Sequence, residues 1–535
     1  MSTNSLRLSD PETFVKILVA VSTATTLATL RDASSRYLEP IYGNVFPYHR
    51  LQDAAMIFFA LGLLVGPASN IYDLPLKNRS NILTSLLDTV AILLALSPIV
   101  VEPLFKFSSQ WGPIWGPHLT QIPLLYGTTF VLGVLSGFTI RWYYSIMFYQ
   151  LLYQYAVITL ASSCQQILLC STILCIASFT LKVFTVSKIE QIEQSSIRQS
   201  NYLKLLTPQV LILLTLIFTI TKAKHLGNIN TPQEIPGTNW HILAGNESTT
   251  GWIEVLEENQ RMNMRVMRAG HSLLGGRFLG TGESIFATFH LLEGILAFDR
   301  PKVDATTRAL QIGLGCGIST NGLIKHGVSV DVVELDPVVY YMARDYFDLE
   351  QPNTVHLENG REFLQRVDQD TYDFVLHDIF TGGSVAPKMF SLELLQLVKH
   401  ALKPNGILAM NFVGSEQPEH RKGLDLVATT LSSMFENVQC YRDSDDSSVK
   451  FTNYVFFAAD IPLKFHSKRI NQIFEGHTAK VLAGWHQNSV SVNNITNGVL
   501  TDRSLRTLEK AGANAALDHW LVMRQIFGDD FWLHF

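Results

Sequence analysis

Three stretches near the start of the chain, Ala54–Tyr72, Phe107–Ile140 and Trp142–Leu181, contain no Lys, Arg, Asp or Glu. A helix that crosses a bilayer needs about 20 mostly apolar residues, and few soluble helices tolerate uncharged runs of this length. Ile122–Ile140 is the most apolar part of the second stretch. The third is long enough for two spans with a turn near Ser162-Ser163. Leu205–Thr221 adds a candidate, Ile82–Val101 is interrupted only by Asp88, and Phe14–Leu30 is short and rich in Thr. The count is about six spans, with five or seven also fitting. A large buried helical core is the competing reading. No small-residue cleavage site follows Phe14–Leu30, which argues against a signal peptide. Lys and Arg are sparse in the loops on both sides, so charge bias does not set the topology. Asp88 could mark a functional site within the bilayer, but a helix-end or interface position is the plainer expectation. Trp111, Trp115, Trp142, Tyr143 and Tyr144 would suit the membrane–water boundary.

Beyond Thr221 the apolar runs stop. Over all 535 residues only 16% are charged, well under the roughly 25% of soluble domains, and the deficit lies in the first half. Lys222–Trp240 is rich in Asn, Thr, Pro and Gly and reads as a linker. The expected layout is a transmembrane helical domain over 1–225, a linker over 226–245, a small β-rich domain over 246–300, a doubly wound α/β sheet over 301–465 and a helical extension over 466–535. A net charge of −5 gives no sign of nucleic acid as a partner. The five cysteines show neither metal-ligand spacing nor a disulfide framework. No metal site is expected.

Strands and helices alternate from Arg308 onward. Strands are expected at Arg308–Gly313, Val330–Leu335, Thr354–Leu357, Tyr372–Asp378 and Gly406–Phe412, with a final pair at Asn437–Arg442 and Tyr454–Ala459. Helices are expected at Ser319–His326, Pro337–Phe347 and Ser391–Leu402, the last stopped by Lys403-Pro-Asn-Gly406. Such alternation argues for a mostly parallel sheet covered on both faces. Ligands of these sheets sit at the carboxyl ends of the strands. Four features fall there. The turn Gly313-Leu-Gly-Cys-Gly317 lets a ligand approach backbone and helix N-terminus closely. Glu334 ends the second strand about 20 residues later, where an acid can accept from ribose hydroxyls. Asn359-Gly360 follows the third strand. His377-Asp378 ends the fourth. Strand alternation turns His377 away from the site and Asp378 towards it. A nucleoside-type ligand is the reading of this set, and Asp378 is the candidate general base.

The stretches Leu310-Gln-Ile-Gly-Leu-Gly-Cys-Gly317, Val332-Val-Glu-Leu-Asp-Pro337, Asn359-Gly-Arg-Glu-Phe-Leu364 and Tyr372-Asp-Phe-Val-Leu-His-Asp378 together resemble the class I S-adenosylmethionine-binding fold. More narrowly they are similar to the spermidine synthase family. Met389-Phe-Ser-Leu-Glu-Leu-Leu395 and His271-Ser-Leu-Leu-Gly-Gly276 resemble further segments of that family, the latter following its N-terminal β-hairpins, with strands at Trp252–Leu256 and Met264–Ala269. The resemblance spans about Gly251 to Ala459. It implies a Rossmann-like methyltransferase sheet with Gly313, Gly315, Cys316, Gly317, Glu334, Asn359 and Gly360 at the cofactor and Asp378 at the reacting centre.

The departures narrow this. The family carries Asp where this chain has Cys316, facing the amine of decarboxylated S-adenosylmethionine. An anion there would repel the carboxylate of intact S-adenosylmethionine, whereas a thiol would not. The family's second acid after the fourth strand falls at Thr381, its substrate-binding Tyr near Phe286 and its cofactor-binding Gln near Leu279. The polyamine-reading groups are thus largely replaced. Asn359 stands where the family has its adenine-side acid. Cys316 could equally be a small residue that fits a tight turn. The resemblance implies a transferase using S-adenosylmethionine, or its decarboxylated form if aminopropyl transfer survives, or a scaffold that keeps only the fold. The acceptor would be a small or membrane-borne molecule. The expected setting is a multi-pass membrane protein, of the endoplasmic reticulum, with its catalytic half in the cytosol; a homodimer is compatible with all of this.

Overall fold

The computed structural model describes residues 11–68, 74–139, 163–193, 200–222, 228–299, 303–380, 385–418, 420–444, 452–465, 467–492 and 498–535. The chain divides into two compact units, Met1–Asn228 and Ile229–Phe535.

The first unit is helical among its described residues. Its helices are α1 Pro11–Tyr42, α2 Val45–Ala68, α3 Leu76–Ser108, α4 Gly112–Gln121, α5 Gly127–Thr139, α6 Ser163–Glu193 and α7 Ser200–Lys222, with a π-helical turn at Ile122–Tyr126 between α4 and α5. Two of them, α3 over Lys77–Val101 and α6 over Ser163–Ser187, are long and apolar enough to cross a membrane. The apolar parts of α2, α5 and α7 are shorter, at Ala54–Val65, Gly127–Gly137 and Thr207–Thr221. The span expected from Trp142 to about residue 162 lies outside the described residues, as do Trp142, Tyr143 and Tyr144. Helices α2 and α5 touch backbone to backbone. A Cβ at Gly62 would stand 2.1 Å from the Phe130 carbonyl oxygen, and one at Gly133 would stand 2.2 Å from that of Phe59. Small residues permit this close approach between apolar helices. Asp88 sits mid-helix in α3, not at a helix end. It is buried, takes the Lys182 ammonium at 2.6 Å and accepts from Gln209 Nε2 at 3.1 Å. This polar network ties three helices together and supplies partners for a largely buried charge.

The second unit holds two sheets. A five-stranded antiparallel meander runs β1 Gln233–Glu234, β2 Trp240–Ser248, β3 Gly251–Glu258, β4 Met264–Ala269 and β5 Ser272–Phe278 in sequence order. The stretch read as a linker is therefore partly structured, because Ile229 bridges Gly245 and Trp240 starts β2. The larger sheet comprises β6 Arg308–Ile312, β7 Ser329–Glu334, β8 Thr354–Leu357, β9 Tyr372–His377, β10 Leu402–Gly414, β11 Asn437–Arg442, β12 Thr452–Ala459 and β13 Ser489–Val490. Its order is β13-β11-β12-β10-β9-β6-β7-β8. The run from β8 to β10 is parallel, and β12 enters antiparallel between β10 and β11. Leu402 already pairs with Tyr372, with a register jump before Ile407. Lys403-Pro-Asn-Gly406 is thus an irregular strand entry as well as a helix stop.

Alternate residues of the central strands feed two cores, the pattern of a sheet covered on both faces. Val332, Phe374, Leu376 and Ala409 belong to one, Val333, Val375, Leu408 and Met410 to the other. The helices are α8 Ala287–Glu293, α9 Ile318–Lys325, α10 Pro337–Tyr346, α11 Gly360–Leu364, α12 Leu392–Ala401, α13 Lys422–Met434, α14 Ser467–Ile473, α15 Gly476–Gly484 and α16 Arg506–Leu533. Pro at the first turn pre-sets α10, and the Asp336 side chain caps it by accepting from Val338 N.

Helix α16 breaks at Gly528, whose φ of 73° is open to glycine, and its end docks on the meander. Trp240 meets Phe527 and Phe531 edge-on. Arg268, fully buried, donates to the carbonyls of Gly270, Phe531, Trp532 and His534 and pairs with Glu254 at 3.2 Å. Burial pushes Glu254 up to about 7 and pulls Arg268 down to about 10.

Candidate active site

The glycine turn is built by crowding. Gly313 (φ 81°) lies against β9, where a Cβ would be 2.1 Å from the Asp378 carbonyl oxygen. Gly315 (φ 53°) lies 2.8 Å, by the same measure, from the Leu274 carbonyl oxygen. Only glycine satisfies both constraints, so the turn packs against the backbone that follows β9 and against β5.

Glu334 ends β7 beside this turn. Its carboxylate accepts from Leu314 N at 2.8 Å and from Asp336 N at 2.9 Å. Burial pushes its carboxyl up to about 7, against the pull of those N–H groups. Asp336, fully buried, accepts from Ser248 Oγ, Thr250 N and Thr250 Oγ1 as well as capping α10. It thereby draws the β2–β3 turn over the same end of the sheet. Asn359 caps α11 with its side-chain oxygen, 2.9 Å from Arg361 N.

Asp378 follows β9. Its Oδ1 accepts from Asn411 Nδ2 at 2.8 Å, and Asn411 Oδ1 takes a long 3.4 Å hydrogen bond from Thr288. Burial pushes the Asp378 carboxyl up to about 6, partly offset by Asn411. His377 points the other way, against Phe390 at 4.9 Å, and burial holds it near 4.

These groups open on one cavity of about 810 Å³. Its walls include Gly313, Leu314, Gly315, Glu334, Asn359, Gly360 and Asp378, with Phe286 from the segment before α8. A further wall comes from Asn411, Asp443, Thr452 and Asn453 of the antiparallel end of the sheet, and from His519, Val522, Met523 and Ile526 of α16. Sequence reasoning did not find this second wall. Asn411 left one signal, a lone amide inside Gly406–Phe412. The α16 residues left none, since they reach the site from more than 130 residues after the Asp378 strand.

Cys316 and Gly317 do not line the cavity. The Cys316 thiol is buried beneath the turn, where a Cβ at Gly275 would sit 3.0 Å from its sulfur and 3.3 Å from Phe289; burial pushes the thiol well up. Cys316→Asp should therefore lower stability by about 2 kcal/mol or more by burying an unpaired carboxylate. Cys316→Ala should bind intact and decarboxylated S-adenosylmethionine in the same ratio as the unmutated chain. A shift in that ratio on calorimetry would show that the thiol faces the ligand. Thr381 lies outside the described residues.

Parallel strands whose order switches between β6 and β9, a glycine turn at that switch and an acid ending the next strand form the arrangement in which doubly wound sheets bind nucleoside-type ligands. Residues 297–442 match the spermine/spermidine synthase domain. That match covers most of the larger sheet, from the residues before β6 to the end of β11. The chain is 31% identical over 359 residues to an N-terminal histidine N-methyltransferase of Emericella nidulans, covering 59% of this chain and 62% of that one. It is 32% identical over 126 residues to a polyamine aminopropyltransferase of Vibrio vulnificus, covering 22% and 40%. The chain thus spans less than two thirds of either relative's length. A probable spermidine synthase of Corynebacterium glutamicum overlays with a TM-score of 0.37 at 17% identity, over 43% of this chain and 84% of that one.

Proposed function

We propose that the chain is a membrane-anchored N-methyltransferase that uses S-adenosylmethionine, and that its acceptor is a nitrogen nucleophile such as the N-terminal histidine named for the Emericella relative. The observation that carries this reading is the single cavity running from the glycine turn and Glu334 to Asp378. Its volume of about 810 Å³ lies high in the roughly 300–1,000 Å³ range of small-molecule sites, room for a cofactor and an acceptor group together. The residues fit the cofactor. Glu334 is poised for the ribose diol, Asn359 and Gly360 line the adenine side, and the glycine turn lets the cofactor approach the backbone closely. When bound, the cofactor supplies an electrophilic methyl carbon on a sulfonium. Asp378, held by Asn411, orients the acceptor nitrogen or accepts its proton. Most of the rate comes from holding nitrogen and methyl carbon in line.

Phe286 favours methyl over aminopropyl transfer. An apolar ring lines the cavity near where the resembling family places a substrate-binding Tyr. Calorimetry on the full chain should show intact S-adenosylmethionine binding more tightly than the decarboxylated form. Glu334→Ala should weaken that binding about 10- to 100-fold by removing charged hydrogen bonds. A clear preference for the decarboxylated form would instead support aminopropyl transfer.

The anchor rests on exposed apolar faces. Ile57, Leu61 and Leu64 of α2, and Leu213, Leu214, Ile217 and Ile220 of α7, all stand about half exposed, as do Trp111 and Trp115 near the start of α4. Such faces suit lipid. Carbonate extraction should leave the chain in the membrane pellet. Protease added to sealed microsomes should digest the second unit if it faces the cytosol. Protection of that unit, or a glycan on Asn246 or Asn494, would place it in the lumen.

A further inference from the structure

We infer that Asp443 selects the acceptor by holding a primary ammonium carried close to the methylated nitrogen, so that the pocket takes an unblocked peptide N-terminus and rejects a blocked one. The inference rests on the methyltransferase reading above and names the chemistry of its acceptor.

Asp443 directly follows β11. Strand β11 is antiparallel to β12, which is antiparallel to β10. The end of β11 therefore opens on the same edge of the sheet as the ends of β10, β9 and β6. Asp378 and Asp443 both line the cavity from that edge. Three strand steps separate β9 from β11, roughly 14 Å at the usual spacing. A group with an amine and a second nitrogen several bonds apart, as in an amino-terminal histidine, would present one nitrogen to each carboxylate across the cavity that both line.

The carboxylate is pre-aimed. One oxygen accepts from Thr452 Oγ1 and the other from Asn453 Nδ2 at 3.0 Å, while the Asp443 backbone N–H donates to the Asn453 carbonyl. Each oxygen keeps a lone pair for an incoming N–H donor. Charge points the same way. Among the described residues, the acceptor side of the lining carries the acids Asp378 and Asp443, and the ammonium of Lys388 lies elsewhere in the lining. Lys388 is exposed and flanks Met389, near Gly360, on the cofactor side. The acceptor end is therefore acidic, and a cation placed there restores balance. Burial raises the Asp443 carboxyl, and a bound ammonium would offset that cost.

The test uses the full chain in detergent with labelled S-adenosylmethionine and two acceptors, a His-Gly-Gly-amide peptide and its Nα-acetyl form. The unmutated chain should favour the free peptide at least about 30-fold in kcat/KM. Asp443→Asn should shrink the preference to within about threefold, through KM for the free peptide, with calorimetric binding of S-adenosylmethionine unchanged. That last reading reports an intact fold. A preference that survives Asp443→Asn, or no preference in the unmutated chain, overturns the role of Asp443 and leaves the methyltransferase reading standing. Failure of both peptides to take a methyl group, with cofactor bound, overturns the methyltransferase reading for this acceptor and the inference with it.

Discussion

Replacing Asp378 with Asn should leave S-adenosylmethionine binding nearly unchanged and slow single-turnover transfer at least about 100-fold. The substitution keeps the shape and removes the charge. The carboxyl stands near 6 because burial penalises its ionised form, and Asn411 draws it only part of the way back. The acting form is the carboxylate. Transfer should therefore rise with pH through about 6 and level above it, falling about tenfold for each unit below. An imidazole acceptor titrates in the same region, so the profile of the variant separates the two. The acceptor's limb should persist in Asp378→Asn while the enzyme's own limb disappears. Normal turnover by Asp378→Asn would leave this residue a cap for the loop that begins at Ile379 and nothing more.

Arg268→Ala should cost about 3–5 kcal/mol of stability, the usual result of stranding one partner of a fully buried ion pair. Glu254 would lose its counter-charge, and the carbonyls of Phe531, Trp532 and His534 would lose a shared donor. Urea unfolding followed by tryptophan fluorescence should show the midpoint falling. Arg268→Lys should recover little, because one ammonium cannot reach what a planar fork reaches. Glu254→Gln combined with Arg268→Met should recover more than either change alone predicts, since the stranded charge is then gone. A change below about 0.5 kcal/mol in Arg268→Ala would mean that the aromatic contacts hold the tail unaided.

The central strands were legible because local pattern and tertiary role coincide there. Val332-Val333 and Phe374-Val-Leu376 are apolar cores of strands that lead into the acids Glu334 and Asp378, and Pro337 marks a helix start. Strand β2 was hidden because its second half, Gly245-Asn-Glu-Ser248, is polar and reads as a turn, and it is held by pairing with β3 rather than by its own propensity. In the site, Glu334 and Asp378 could be read from their place at strand ends. Cys316 could not, since which side of a tight turn buries its side chain depends on Gly275 and Phe289, about 30 to 40 residues earlier. Asp443 and His519 carry no local motif at all. They belong to the pocket only because the antiparallel end of the sheet and α16 fold back to it. Asp88 was legible as an oddity, but its partners Lys182 and Gln209 lie on two other helices.

Helix α16 supplies His519 and Met523 to the pocket, yet follows the whole sheet in chain order. A ribosome making this protein thus finishes the nucleoside cradle and Asp378 well before it makes the wall that closes the acceptor side. Until Arg506 and the residues after it leave the exit tunnel, the nascent chain can present a donor site with no complete seat for an acceptor.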